Sequence, residues 1–195
     1  MIALALLAAP AQAAPASSYP SAQVLAAFGG ICRNVKDLER TENEAEALGW
    51  TRITPDPATP IGQLVAFGMS EGKKVVEAQR GSITPMRVLS KDVAGEALVA
   101  VLSGVRMGGE MVNGCRVYDG GETRRITAAE AEAWVGRAPT RTEANRALSI
   151  ASWEPGFAPD HASFELYHIP ADSPALALVK GSGVALKADY VGADK

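Results

Sequence analysis

Residues 98–118 read LVAVLSGVRM-GG-EMVNGCRVY: two β-rich runs, 98–107 and 110–118, on either side of Gly108-Gly109. Val, Leu and Tyr suit a pleated, half-buried surface. A Gly-Gly pair reaches the left-handed backbone that a two-residue hairpin turn demands. The stretch therefore predicts two long antiparallel strands. Working outward, residues 148–153, 163–169, 175–180 and 184–190 read as further strands, with turns at Pro155-Gly156, at 170–174 and at Gly181-Ser182. The spacing predicts that the last two pair as a hairpin. Upstream, 86–89 and 50–54 read as shorter strands.

Helical patterns come mainly before this β-rich half. Val24, Leu25, Phe28, Ile31, Cys32 and Val35 recur at helical spacing, which predicts a helix over 22–34 capped by Ser21. Asp37 caps a second helix running to Leu48 and closed by Gly49. Thr59, followed by Pro60 at the first helical position, opens a third over 60–80. Thr127-Ala128-Ala129-Glu130 is a capping box that opens a fourth, ended at Gly136. Helices first and strands later predict an α+β fold, with N-terminal helices packed on a largely antiparallel sheet, in one globular domain over 20–195.

The first 32 residues contain no charged side chain. Residues 2–9 form a short apolar run ended by Pro10, and Ala11-Gln12-Ala13 has the small-x-small pattern of a signal peptidase site. Residues 1–13 therefore read as a signal peptide, cleaved after 13 or, at Ala14-Pro15-Ala16, after 16. The run is much shorter than the roughly 20 residues that span a bilayer. A periplasmic or secreted protein is the expectation. Export permits a disulfide, and both cysteines, Cys32 on the apolar face of the first helix and Cys115 on the Met111–Val117 side of its strand, face inward. They are expected to pair. With 19 basic and 22 acidic residues mixed along the chain, the net charge is -3, which implies no basic surface for nucleic acid.

One motif carries hydrolytic chemistry. Gly68-Met69-Ser70-Glu71-Gly72 matches G-x-S-x-G, the turn that exposes a nucleophilic serine in α/β hydrolases. Asp160, His161 and His168 lie downstream and supply the residue types of a triad. The same segment fits a continuous helix in which Ser70 lies about 180° from Ile61, on the solvent side with Gln63, Lys74 and Glu77. Two histidines without clustered cysteines or carboxylates make no zinc site, and the Gly pairs at 29–30, 108–109 and 120–121 lack phosphate-loop spacing, so no metal or cofactor is expected. The aromatics of the second half, Tyr118, Trp134, Trp153, Phe157, Phe164 and Tyr167, are read as core, or as the lining of a small-ligand pocket between sheet and helices.

The early helix with Cys32, the Gly49-Trp50 pair, the run from Asn113 to Asp119, Trp134 and the Trp153-to-Gly156 corner together resemble a group of small uncharacterised bacterial secreted or periplasmic proteins. The resemblance implies no activity; it supports the pairing of Cys32 with Cys115. The reading is then a non-enzymatic envelope module that binds an envelope protein or a small ligand. Its alternative is an envelope serine hydrolase using Ser70 with His161 or His168.

Overall fold

Gly108 and Gly109 take φ of +60° and +84°, so the tight turn that the Gly-Gly pair predicts is formed. The structure, a computed structural model, describes residues 18–193. The leader read in residues 1–16 lies outside them. The chain is mixed α+β. Its elements in order are α1 (Ser21–Cys32), α2 (Leu38–Ala47), β1 (Thr51–Arg52), α3 (Pro60–Ala78), β2 (Ser82–Val93), β3 (Glu96–Met107) and β4 (Glu110–Gly120). There follow α4 (Ala128–Val135), β5 (Arg141–Ala144), β6 (Ser149–Trp153), β7 (Ser163–Ile169), α5 (Leu176–Val179) and β8 (Gly183–Ala193). The strands form one eight-stranded sheet in the order β1-β2-β3-β4-β8-β7-β6-β5, antiparallel at every pairing.

Local chemistry sets most helix ends. The Asp37 carboxylate accepts from the Arg40 amide at 3.0 Å, and Thr59 Oγ1 accepts from the Gly62 amide at 3.2 Å. Thr127 and Glu130 make the reciprocal capping box, and Gly136, at φ +82°, closes α4. The first helix differs: it begins at Ser21 itself, with Pro20 before it and no side-chain cap.

The expected hairpin of 175–180 with 184–190 is not made. Residues 176–179 instead wind into the single turn α5, which has no side-chain cap and follows a turn in which Ser173 Oγ accepts from the Ala175 amide at 3.0 Å. Strand β8 returns between β4 and β7, so both of its edges are already paired. Two other strands exceed the sequence reading. β2 runs the full Ser82–Val93, and β5 is an added strand whose four residues are all exposed.

Register divides the sheet into two faces. On one, Leu102, Cys115, Ala188, Phe164 and Trp153 stand side by side across five strands, next to Ala100, Val117, Leu186, Leu166 and Ala151. All ten are buried in one hydrophobic cluster with Val24, Leu25, Phe28 and Ile31 of α1. Cys32 is disulfide-bonded to Cys115, with Cα atoms 5.5 Å apart. Phe28, fully buried, lies 5.3 Å from Phe164, 5.4 Å from Phe157 and 6.1 Å from Trp134, centroid to centroid. Rings at such separations add to their area burial. Among the described residues, no helix is long and apolar enough to cross a membrane.

Candidate functional site

The opposite face of the sheet carries a different composition. Period-2 alternation places Val101, Arg116, Lys187, Glu165 and Ser152 in one row across β3, β4, β8, β7 and β6. The neighbouring row is Val99, Tyr118, Ala185, Tyr167 and Ile150. Helix α3 lies over this face, touching β2 and β3. It buries only Gly62 and Val76, while Phe67, Val75 and Met69 remain exposed, Met69 by 51%. The helix therefore stands off the sheet rather than seating its apolar stripe on it.

The gap is a cleft of about 470 Å³, walled by Ile61 and Leu64 of α3, Val99, Ile169 and Ala185 of the sheet, and Val179 of α5. Leu64, Arg116 and Tyr118 also line a second cleft of about 420 Å³, which continues beneath Phe67 and Val75 toward Ile83. The two form one trough along α3, with Arg116 where they meet.

Three charged groups, Arg116, Lys187 and Asp189, line the floor, with Glu165 beside Lys187. Arg116 and Lys187 face each other across β4 and β8, a like-charge pairing that costs stability unless acid lies beside it. Acid does: Lys187 Nζ is 2.8 Å from Glu165 Oε2 and 2.7 Å from Asp189 Oδ2. Burial pulls the Lys187 pKa down, and Asp189 and Glu165 outweigh it, so it stands above the usual lysine value. Burial pushes the Glu165 carboxyl up, and the Lys187 ammonium bonded to it more than reverses that, so it stands below the usual range. Burial, with the negative Glu165 beside it and bonded to its hydroxyl, raises the Tyr167 pKa. Ser163 Oγ donates to Asp189 Oδ2 at 3.4 Å. The two carboxylates thus have partners within the protein.

Arg116 is less well supplied. Its Nη1 donates to the neutral Ser103 hydroxyl at 2.9 Å, and its Nη2 lies 4.0 Å from Asp189 Oδ1. The guanidinium rests over Gly114, where a Cβ would come within 2.5 Å of Nη1. A glycine inside a strand commonly marks such a close approach.

The residues singled out in the sequence lie elsewhere. Ser70 is exposed on α3, on the cleft side of the sheet. His161 is on the other side, 2% exposed, with Nε2 3.1 Å from the Arg33 carbonyl oxygen and its ring edge-on to Phe157 at 4.3 Å. Burial holds its pKa below the ordinary histidine value. Asp160 pairs with Lys36 at 3.3 Å. His168 shares the inner face of β7 with Phe164 and Leu166. The sheet thus separates Ser70 from both histidines, and the structure does not bring the three together. Cys32 and Cys115 are brought together and bonded. Trp134, Trp153, Phe157 and Phe164 belong with Phe28 to the aromatic core, whereas Tyr118 and Tyr167 line the cleft.

One further cluster is acidic. Carboxylate oxygens of Glu96, Asp119 and Glu122 lie within 4.8 Å of one another. The Arg124 guanidinium stands among them, 2.8 Å from Glu96 and bonded to Glu122, and Tyr19 donates to Asp119 at 2.9 Å. The protein supplies its own cation there.

Sequence reasoning missed Arg116, Lys187, Glu165 and Asp189. Each alternates with apolar residues along its strand, which is how a solvent-facing position reads. The available signal was their coincidence on one face of three strands. Compared with known protein families, with characterised proteins and with solved structures, the chain matches none.

Proposed function

We propose that the protein is an exported, non-enzymatic binding module whose ligand is a small, largely apolar molecule held between α3 and the sheet. One observation carries the reading: a cleft of about 470 Å³ with apolar walls and a few polar groups gathered at its floor. Binding sites for small molecules have this size and composition. Burial of Val24, Leu25, Phe28 and Ile31 of α1 in the core cluster and the Cys32–Cys115 bond support it, because they leave the cleft face free for a ligand. Export is supported by the leader pattern in residues 1–16, by the resemblance to small secreted bacterial proteins and by the disulfide, which persists in the periplasm or outside the cell. Nothing in the placement of Ser70 favours the hydrolase reading.

The test uses the full chain with its own leader, made in a bacterial host and purified gently from the periplasm. Native mass spectrometry is expected to show a processed, oxidised chain. A titration with the neutral dye N-phenyl-1-naphthylamine is expected to give saturable fluorescence enhancement, abolished in Ala185→Trp, which fills the cleft floor. An enhancement that Ala185→Trp leaves intact would place binding elsewhere. No enhancement with the wild type would end the cleft reading, and a reduced chain retaining its leader would end the export reading.

A further inference from the structure

We infer that the ligand is an amphiphile whose acidic head group, a carboxylate or phosphate on an apolar chain, is held by Arg116. The inference rests on the cleft being the binding site.

Arg116 holds unspent donors. Glu165 accepts from Lys187 and Tyr167, and Asp189 accepts from Lys187 and Ser163. Lys187 divides itself between the two acids. Acceptors and the lysine are therefore matched within the protein. Among the described residues, Arg116 has one hydrogen bond, to a neutral hydroxyl, and a carboxylate oxygen no nearer than 4.0 Å. A guanidinium presents a planar fork of N–H groups, so most of its donors are free for an incoming group. What the floor lacks is an acceptor, and an acidic head group supplies two or more oxygens in the geometry that arginine binds best.

Position supports the same chemistry. Arg116 lines both clefts, and its side chain is 31% exposed, so a head group can reach it without breaking the Lys187 pairs. Apolar walls run from it in both directions, toward Ile61 and Val179 on one side and toward Phe67 and Ile83 on the other. A ligand anchored at Arg116 can lay an alkyl chain along either arm. Where a bound alkyl chain displaces water from these apolar walls, a charge-assisted hydrogen bond is worth more than in water. A wholly apolar ligand would instead cover the guanidinium with the neutral Ser103 hydroxyl as its hydrogen-bond acceptor, which costs free energy.

The experiment is competition against bound N-phenyl-1-naphthylamine by three ligands with the same chain: dodecanoate, dodecyl phosphate and dodecanol, each below its micellar range. Hydrogen bonds to charged groups set the expected size: at least one acid should displace the dye at about tenfold lower concentration than dodecanol, or better. Whichever acid is tighter names the head group. The acid-to-alcohol ratio, taken within each variant, is expected to fall to about one in Arg116→Met and to stay intermediate in Arg116→Lys. Dodecanol competing as well as both acids against the wild type would overturn the head-group inference while leaving the cleft reading intact. An acid preference that survives in Arg116→Met would overturn the assignment to Arg116. Dye that never binds the wild type would remove both readings at once.

Discussion

Reduction of the Cys32–Cys115 bond is expected to remove a large share of the stability. The two residues are 83 positions apart, so the bond closes a loop spanning α2, β1, α3, β2 and β3 before it reaches β4. For a loop of that length the chain-entropy relation gives about 4.5 kcal/mol at room temperature. The effect lies in the unfolded chain, which the bond forbids from separating α1 and β4. A domain is stable by only about 5–15 kcal/mol in total, so the reduced protein should be marginal. Urea unfolding of the oxidised protein, compared with the same protein in a strong reductant, measures this directly without changing a side chain. With a slope of about 2 kcal/mol per molar urea, the midpoint should fall by about 2 M. A Cys32→Ala/Cys115→Ala double variant should fall at least as far, because it also loses buried sulfur in the core. A shift under about 0.5 M on reduction would refute the reasoning. It would mean that the unfolded chain already holds these segments together, or that the loop is constrained by contacts other than the bond.

The core should be sensitive at one ring: Phe28→Ala, which removes a fully buried side chain in contact with Phe157, Phe164 and Trp134, is expected to cost about 3–5 kcal/mol in urea unfolding. The His161 ring has its pKa lowered from 6.5, by burial first and by Arg33 in part, against the opposing pull of the Arg33 and Cys32 carbonyls and of Asp160. A value lower in the folded than in the unfolded chain gives stability that is present above pH 6.5 and lost as pH falls through the folded value. Urea midpoints at about pH 7.5 and about pH 5 should therefore differ less in His161→Gln than in the wild type; an equal difference would remove His161 from the account. Glu122, held down to about 2 by its bonds to Arg124, contributes in a lower window: its stabilisation is present above 4.5 and lost as pH falls toward about 2, and Arg124→Met should flatten that part of the acid unfolding curve. Ser70→Ala should leave stability within about 0.5 kcal/mol, and a fluorophosphonate probe should not label the wild type; labelling lost in Ser70→Ala would restore the hydrolase reading.

What could be read from the chain was what neighbours in sequence decide. The Gly108-Gly109 turn, the Thr127–Glu130 capping box and the Thr59-Pro60 helix start each depend on a few adjacent residues, and each is formed. The cysteines could be paired because there are two and both sit on apolar faces. The return of β8 between β4 and β7 could not be read, since strand order is decided by distant edges. The apolar run of residues 175–180 suits a strand and a single helical turn alike, and β8 takes the sheet position between β4 and β7. β5 offers no apolar residue but Ala144 and is held by pairing with β6 alone. The site was least visible of all. Arg116, Lys187 and Glu165 are ordinary outward positions on their strands until α3 is laid over them.

The stand-off of α3 is itself an argument for a ligand. Gly68 and Gly72 lie inside the helix, and each costs about 1 kcal/mol against alanine. A helix that served only to cover the sheet would recover that cost by seating Met69 and Val75 of its apolar stripe on it, yet these side chains are exposed. The sheet is secured from the other side, by the Phe28 aromatic core and the Cys32–Cys115 bond, so the cleft can stay open without loss of the fold. The two faces should then respond separately to substitution, as sites without shared partners do. Phe28→Ala should lower stability and leave the acid-to-alcohol preference of the remaining folded protein unchanged. Ala185→Trp should abolish dye uptake while the reduction-induced fall in urea midpoint stays the same. Coupling between them beyond about 0.5 kcal/mol would mean that the core shapes the cleft through the sheet, and that ligand binding and folding stability are linked in this protein.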